Sequence, residues 1–172
     1  MSTDADIMDV FLQPGEFYFG DADTRIRTLL GSCLSIVMWH PLRRVGGMSH
    51  CLLPSREANG SKRLDGRFVD DALLYLIREA VREGTNPSDF HIKLFGGGDM
   101  FKGLGVTNEA RIGHKNALKA KHMLKLLDLR VAAEDLGGDV HRSLIFDVGS
   151  GAVWVRYGSS SGTDKRIEVN AA

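Results

Sequence analysis

Cys33 and His50 supply a thiol and an imidazole, the residue types of a covalent nucleophile and its general base. The segment that joins them, LLGSCLSIVMWHPLRRVGGMSHCLLP over residues 29–54, reads as a hairpin. Cys33 to Trp39 is short, apolar and partly β-branched, and Val45 to Leu53 leads back with strand-like composition. The turn falls at His40-Pro41-Leu42-Arg43, since proline suits an early turn position and cannot donate to a ladder. A four-residue loop joining Trp39 to Arg44 would set 38 opposite 45 and 33 opposite 50, with Cβ atoms roughly 4.5–5.5 Å apart. A thiol and an imidazole so placed can exchange a proton. A bulge at Gly46-Gly47 would instead shift the register by one and turn His50 to the other face.

Gly31-Ser32 before the cysteine leaves a nucleophile uncrowded, and the backbone N–H groups of Ser32 and Cys33 could face a developing oxyanion. The competing reading is a packed structural thiol, the ordinary fate of a free cysteine. Cys51 follows His50 directly, so strand alternation points it into the other layer. The same alternation opposes a shared metal ion, no spaced cysteine or histidine pair occurs elsewhere, and no metal is expected. A third group often orients such an imidazole. Thr28 is the nearest upstream hydroxyl, but strict alternation would place Arg27 on the face of Cys33 unless Gly31-Ser32 interrupts the pleat. The remaining histidines (His40, His91, His114, His122 and His141) are read as structural. Phe95 to Phe101, FGGGDMF, lacks the Lys-Ser/Thr ending of a phosphate loop. Its glycines permit a sharp turn or close approach by another chain, which makes Gly97, Gly98, Met100 and Phe101 partner-binding candidates; packing after a strand is the alternative.

Several elements must position these residues. Glu16–Phe19 and Arg25–Leu30 read as strands, and 55–66 as an exposed polar loop. Phe68–Glu83 is a helix with Val69, Leu73, Leu76, Ile77 and Ala80 at helical spacing and Gly84 as its stop. Ile92–Phe95 is a buried strand. A second helix starts near Thr107 or Asn108 and runs to about Leu127, burying Leu118, Leu124 and Leu127. Leu129–Ala133 follows as a strand, Gly137-Gly138 as a turn, and Ser143–Val148 with Ala152–Tyr157 as a hairpin. Seven or eight strands and two helices imply an α+β layered domain, mixed but mostly antiparallel, with both helices on one sheet face.

The 172 residues suit a single domain, with its core over about 16–157 and a polar, mobile tail over 158–172. Lys plus Arg equals Asp plus Glu at 22 each, so bulk charge recommends neither nucleic acid nor an anionic membrane as partner. No apolar run approaches the roughly 20 residues of a membrane span. The amino terminus lacks the pattern of a secretion signal, and two cysteines suit a reducing compartment, so a cytoplasmic location is expected.

These residues alone lead to a cysteine–histidine acyl-transfer hydrolase. Five blocks in order add a resemblance: TLLGSCLSIVMW, GGMSHCLLP, KLFGGGDMF, IGHKN at Ile112–Asn116, and AAEDLGGDVHRSLIFDVGSGAVWV. Together they resemble the chemoreceptor glutamine deamidases of bacterial and archaeal chemotaxis, the CheD family, over most of 16–157. The resemblance implies a protein-glutamine amidohydrolase with no cofactor, in which Cys33 and His50 are catalytic. It implies a threonine just ahead of the cysteine as the third residue; Thr28 is nearest, although some members place it where this chain has Arg27. It implies a three-layer α/β/β sandwich similar to the deamidating domain of cytotoxic necrotizing factor toxins. It further implies chemotaxis receptors as protein substrates, whose new glutamates become methylatable, and a CheC-type phosphatase as a partner where one exists. The rival expectations are a cysteine hydrolase of another amide or ester, and a non-catalytic regulator that binds the phosphatase or the receptor.

Overall fold

The computed structural model describes residues 6–57, 63–101, 103–105, 107, 111–158 and 166–169. Among them the chain forms ten strands and two α-helices. In order these are β1 (Met8–Phe11), β2 (Phe17–Gly20), β3 (Thr24–Leu30), β4 (Leu34–His40), β5 (Val45–Ser49), α1 (Val69–Arg82), β6 (His91–Gly96), α2 (Ile112–Leu126), β7 (Val131–Leu136), β8 (Arg142–Asp147), β9 (Val153–Tyr157) and β10 (Arg166–Val169).

Two five-stranded sheets result, one ordered β1-β3-β8-β9-β10 and the other β2-β5-β4-β6-β7. Pairing is antiparallel except for β1 with β3 and β6 with β7. Both helices pack on the second sheet, α1 over β2, β4 and β5 and α2 over β4, β6 and β7. The layers are therefore helix, sheet, sheet, as expected. Burial follows from this order. β4 lies in the middle layer and is buried on both faces, so its apolar run is nearly continuous. β8 lies in the outer sheet and alternates buried with half-buried residues.

Two apolar clusters fill the gaps between layers. Leu34, Ile36, Met38 and Cys51 meet Val69, Leu73, Leu76, Ala120 and Leu124 on the helix side. Ile26, Leu30, Val37, Met48, Phe95, Leu144 and Phe146 close the space between the sheets. No helix among the described residues is long and apolar enough to cross a membrane.

Several expectations change. Helix α2 begins at Ile112, and Asn108 lies outside the described residues. Its buried stripe is Gly113, Asn116, Ala120 and Leu124; Leu118 and Leu127 are exposed. Helical spacing selects one residue per turn, and the small members let α2 approach the sheet closely. Arg166–Val169, inside the expected polar tail, pairs antiparallel with β9. β1 also lies outside the expected core and pairs with β3.

Candidate active site at the mouth between the sheets

The hairpin exists, with a register two residues from the expected one. His40 pairs with Val45, and Met38 stands opposite Gly47 rather than residue 45. The turn occupies 41–44 because Arg44 adopts a left-handed φ of 53° and its N–H reaches His40 O at 2.9 Å. The ladder passes Gly46 and Gly47 in constant register and closes with a Leu34–Cys51 bridge. Extended by one pair, that register sets Cys33 opposite Leu52 and Ser35 opposite His50. Cys33 and His50 are therefore diagonal neighbours rather than a direct pair. An even shift preserves the face, so both still belong to the side that looks toward the outer sheet.

Thr28 arrives from the outer sheet. β3 buries Thr24, Ile26, Thr28 and Leu30 and exposes Arg27, which pairs with Asp9 at 2.7 Å. The alternation argument for Arg27 fails because Gly31-Ser32-Cys33 carries the chain from one sheet to the other. Inward residues of the two strands then meet across the gap. Thr28 Oγ1 lies 2.7 Å from His50 Nδ1 and donates to Leu12 O at 2.9 Å. A hydroxyl has one proton, and here it is used on the carbonyl. Nδ1 must then be the donor to Thr28, which leaves Nε2 as the basic nitrogen. The His50 backbone is clamped as well, its N–H to Glu16 O at 2.9 Å and its carbonyl by Gly15 N–H at 2.8 Å.

The Gly31–Cys33 turn is held by its carbonyls. Gly98 N–H donates to Gly31 O at 3.2 Å and Gly97 N–H to Cys33 O at 2.8 Å. Asn116 Nδ2 on α2 lies 3.5 Å from Ser32 O and 3.0 Å from Leu52 O. No backbone acceptor meets the N–H of Ser32 or Cys33 among the described residues. The triple glycine is explained here. Gly96 and Gly97 have positive φ, and a Cβ on Gly97 would lie 2.6 Å from Gly113 O at the start of α2. Gly97 and Gly98 are buried, and the close approach is made by this chain's own backbone. Of the four partner-binding candidates, Met100 is half-buried beside Gly31 and Phe101 is 66% exposed.

The electrostatics favour a neutral pair at rest. Burial raises the Cys33 thiol above its ordinary range. Burial likewise lowers the His50 imidazole, against a weaker upward pull from Glu16 and the Leu12 carbonyl. Cys51 sits fully buried on the helix side, and desolvation drives its thiol to about 12. Its neighbour is Ser49 Oγ at 3.3 Å. Among the described residues no cluster of His, Cys, Asp and Glu could hold a metal ion.

Sequence reasoning reached Cys33, His50 and Thr28 but not Asn116 or the Leu12 carbonyl. An asparagine inside a helix carries no local signal of what it reaches, and a carbonyl carries none at all.

Known proteins agree over nearly the whole chain. A family profile described as "CheD chemotactic sensory transduction" matches residues 52–157. A protein of Chromobacterium violaceum named probable chemoreceptor glutamine deamidase CheD 1 is 45% identical over 151 residues, 86% of this chain and 76% of its own. A probable chemoreceptor glutamine deamidase CheD of Pseudomonas savastanoi pv. phaseolicola is 43% identical over 163 residues, covering 91% and 89%. A probable chemoreceptor glutamine deamidase CheD 3 of Dechloromonas aromatica is 40% identical over 163 residues, covering 95% and 94%. Spans of this length necessarily take in residues 33 and 50, ahead of the profile match. With such identity over such coverage, the chain belongs to the CheD family.

Proposed function

We propose that this chain is a protein-glutamine deamidase acting on chemoreceptors, with Cys33 as nucleophile, His50 as base and acid, and Thr28 as the residue that orients His50. The observation that carries the reading is the pair of bonds at Thr28. They require Nδ1 of His50 to be protonated and leave Nε2 basic on the face shared with Cys33. The names of the relatives supply the substrate class.

The thiol and imidazole begin neutral, so proton transfer accompanies attack rather than preceding it. His50 Nε2 takes the Sγ proton as sulfur bonds to the carboxamide carbon of a receptor glutamine. Charge moves to the amide oxygen, and the N–H groups of Ser32 and Cys33, which meet no backbone acceptor among the described residues, stabilise it; such donors contribute about 3–4 kcal/mol each. The C–N bond breaks, and His50 returns the proton to nitrogen as ammonia departs. Water then attacks the thioester while His50 accepts its proton. The C–S bond breaks, sulfur regains a proton, and glutamate leaves as product. A glutamate so formed can accept a methyl group, which links the reaction to sensory adaptation. A CheC-type phosphatase is proposed as a second partner, one that competes with the receptor for this mouth.

The test is direct. Receptor cytoplasmic fragments incubated with the protein should show amide-to-acid conversion by mass spectrometry, with one ammonia released per site. The Cys33→Ala protein should show neither. Conversion undiminished in that variant would remove Cys33 from the chemistry.

A further inference from the structure

Asn116 is fully buried in α2, where asparagine is a weaker helix former than leucine or glutamine. Its Oδ1 is buried without a hydrogen-bond partner among the described residues. An apolar residue would avoid both costs. A local rule broken in this way commonly marks a functional position. The amide orientation is set by its surroundings: two carbonyls, Leu52 O and Ser32 O, face the nitrogen, and exchanging nitrogen for oxygen would oppose like partial charges.

We propose that Asn116 is a positioning residue that aims the Cys33 N–H at the oxyanion, by holding the carbonyl of the same peptide group. This rests on the reading of Cys33 as the nucleophile. The Ser32–Cys33 peptide is planar and trans, so its C=O and N–H point in opposite directions. A donor on Ser32 O from the helix side therefore turns the Cys33 N–H away from α2, toward the mouth between the sheets. The flanking carbonyls are fixed by Gly97 and Gly98, so rotation of this central peptide is the freedom left to the turn. Asn116 limits it. The 3.5 Å separation is long for a hydrogen bond and shortens as charge builds on the oxygen beyond, because a bond at C=O strengthens the donor at N–H. The 3.0 Å bond to Leu52 O anchors the amide to the segment after β5 that carries His50, so one side chain ties both halves of the site to one helix.

The experiment compares Asn116→Ala, Asn116→Leu and Asn116→Gln with the parent on receptor fragments, following ammonia release and iodoacetamide alkylation of Cys33. Alkylation uses the same sulfur but forms no oxyanion. For the Ala and Leu variants kcat should fall about 10–100-fold, less than the full loss of an oxyanion donor. KM and the alkylation rate should change less than about twofold by the same argument. Asn116→Gln, which keeps an amide, should recover part of kcat. Leu124→Ala loosens the same helix without touching the turn and should leave kcat per folded molecule unchanged. If Asn116→Ala fails to fold, Asn116→Leu, which fills the space, decides the matter. Unchanged kcat, or alkylation falling in step with kcat, would overturn the proposal while Cys33→Ala remained inactive. An active Cys33→Ala would overturn the underlying reading, and this proposal with it.

Discussion

The two faces of the β4–β5 hairpin are one strand pair serving two unlike layers. On the helix side Leu34, Ile36, Met38 and Cys51 pack beneath the helices, and Cys51 there holds its proton to about 12. On the sheet side the same strands bring His50 to Thr28, and Lys93 of β6 directs its Nζ to Gly151 O at 2.9 Å and Val169 O at 2.8 Å. Burial alone does not separate the layers, since both are closed. The difference is one of exposure at the thiol: Cys51 is fully enclosed, whereas Cys33 is left half open at the edge of the inter-sheet space. Strand alternation therefore decides whether a thiol is enclosed beneath the helices or left half open.

The sharpest way to break this contrast is to remove each thiol in turn. Cys33→Ala and His50→Ala should each cost at least about 10³-fold in deamidation while leaving the fold intact. Cys51→Ala should keep full turnover and lose about 1 kcal/mol of stability in denaturant unfolding. Equal loss of activity from Cys51→Ala would show that the wrong face was assigned.

Thr28→Val tests the partner supplied across the gap. It should lower kcat roughly 10–100-fold, less than loss of the base itself, and Thr28→Ser should restore most of the rate. An unaffected Thr28→Val would leave the imidazole oriented by Leu12 alone.

Chemical labelling sharpens the contrast further. Iodoacetamide should modify Cys33 in the native protein and spare Cys51 until denaturant is added. Because burial raises the Cys33 thiol, its alkylation rate should keep climbing past about pH 8.5, with no plateau near neutrality. A plateau below pH 7 would reveal a resting ion pair instead.

The smallest effect is in pH. The His50 imidazole is depressed, so the acid limb of kcat/KM should lie below the ordinary histidine value of about 6.5. In the unfolded chain the ring is the better base. Its contribution to stability is therefore present above about pH 6.5 and lost as pH falls further, and His50→Gln should flatten that part of the unfolding curve. A stability that instead rose toward acid would contradict the neutral buried ring.

Much of this was legible beforehand, for identifiable reasons. Helix α1 and the β8–β9 hairpin announce themselves through strong periodicity and glycine stops. β1 and β10 do not, since they are edge strands of only four residues each, and what makes them strands is the neighbour they pair with. The β4–β5 register moved by two because Arg44 could take a left-handed φ, a local choice that composition leaves open.

Residue type and alternation alone determined that His50 and Cys51 point to opposite sides, because a pleat has a strict period of two; that His50 takes the side of Cys33 also needed the unbulged passage at Gly46-Gly47. Only the tertiary structure decided that β3 and β4 lie in different sheets, which turns Thr28 inward to His50 and sends Arg27 to solvent. It also brought Asn116, more than eighty positions downstream, beneath the Ser32–Cys33 peptide. Such meetings depend on how layers stack, and stacking is set by the summed burial of many side chains rather than by any local run.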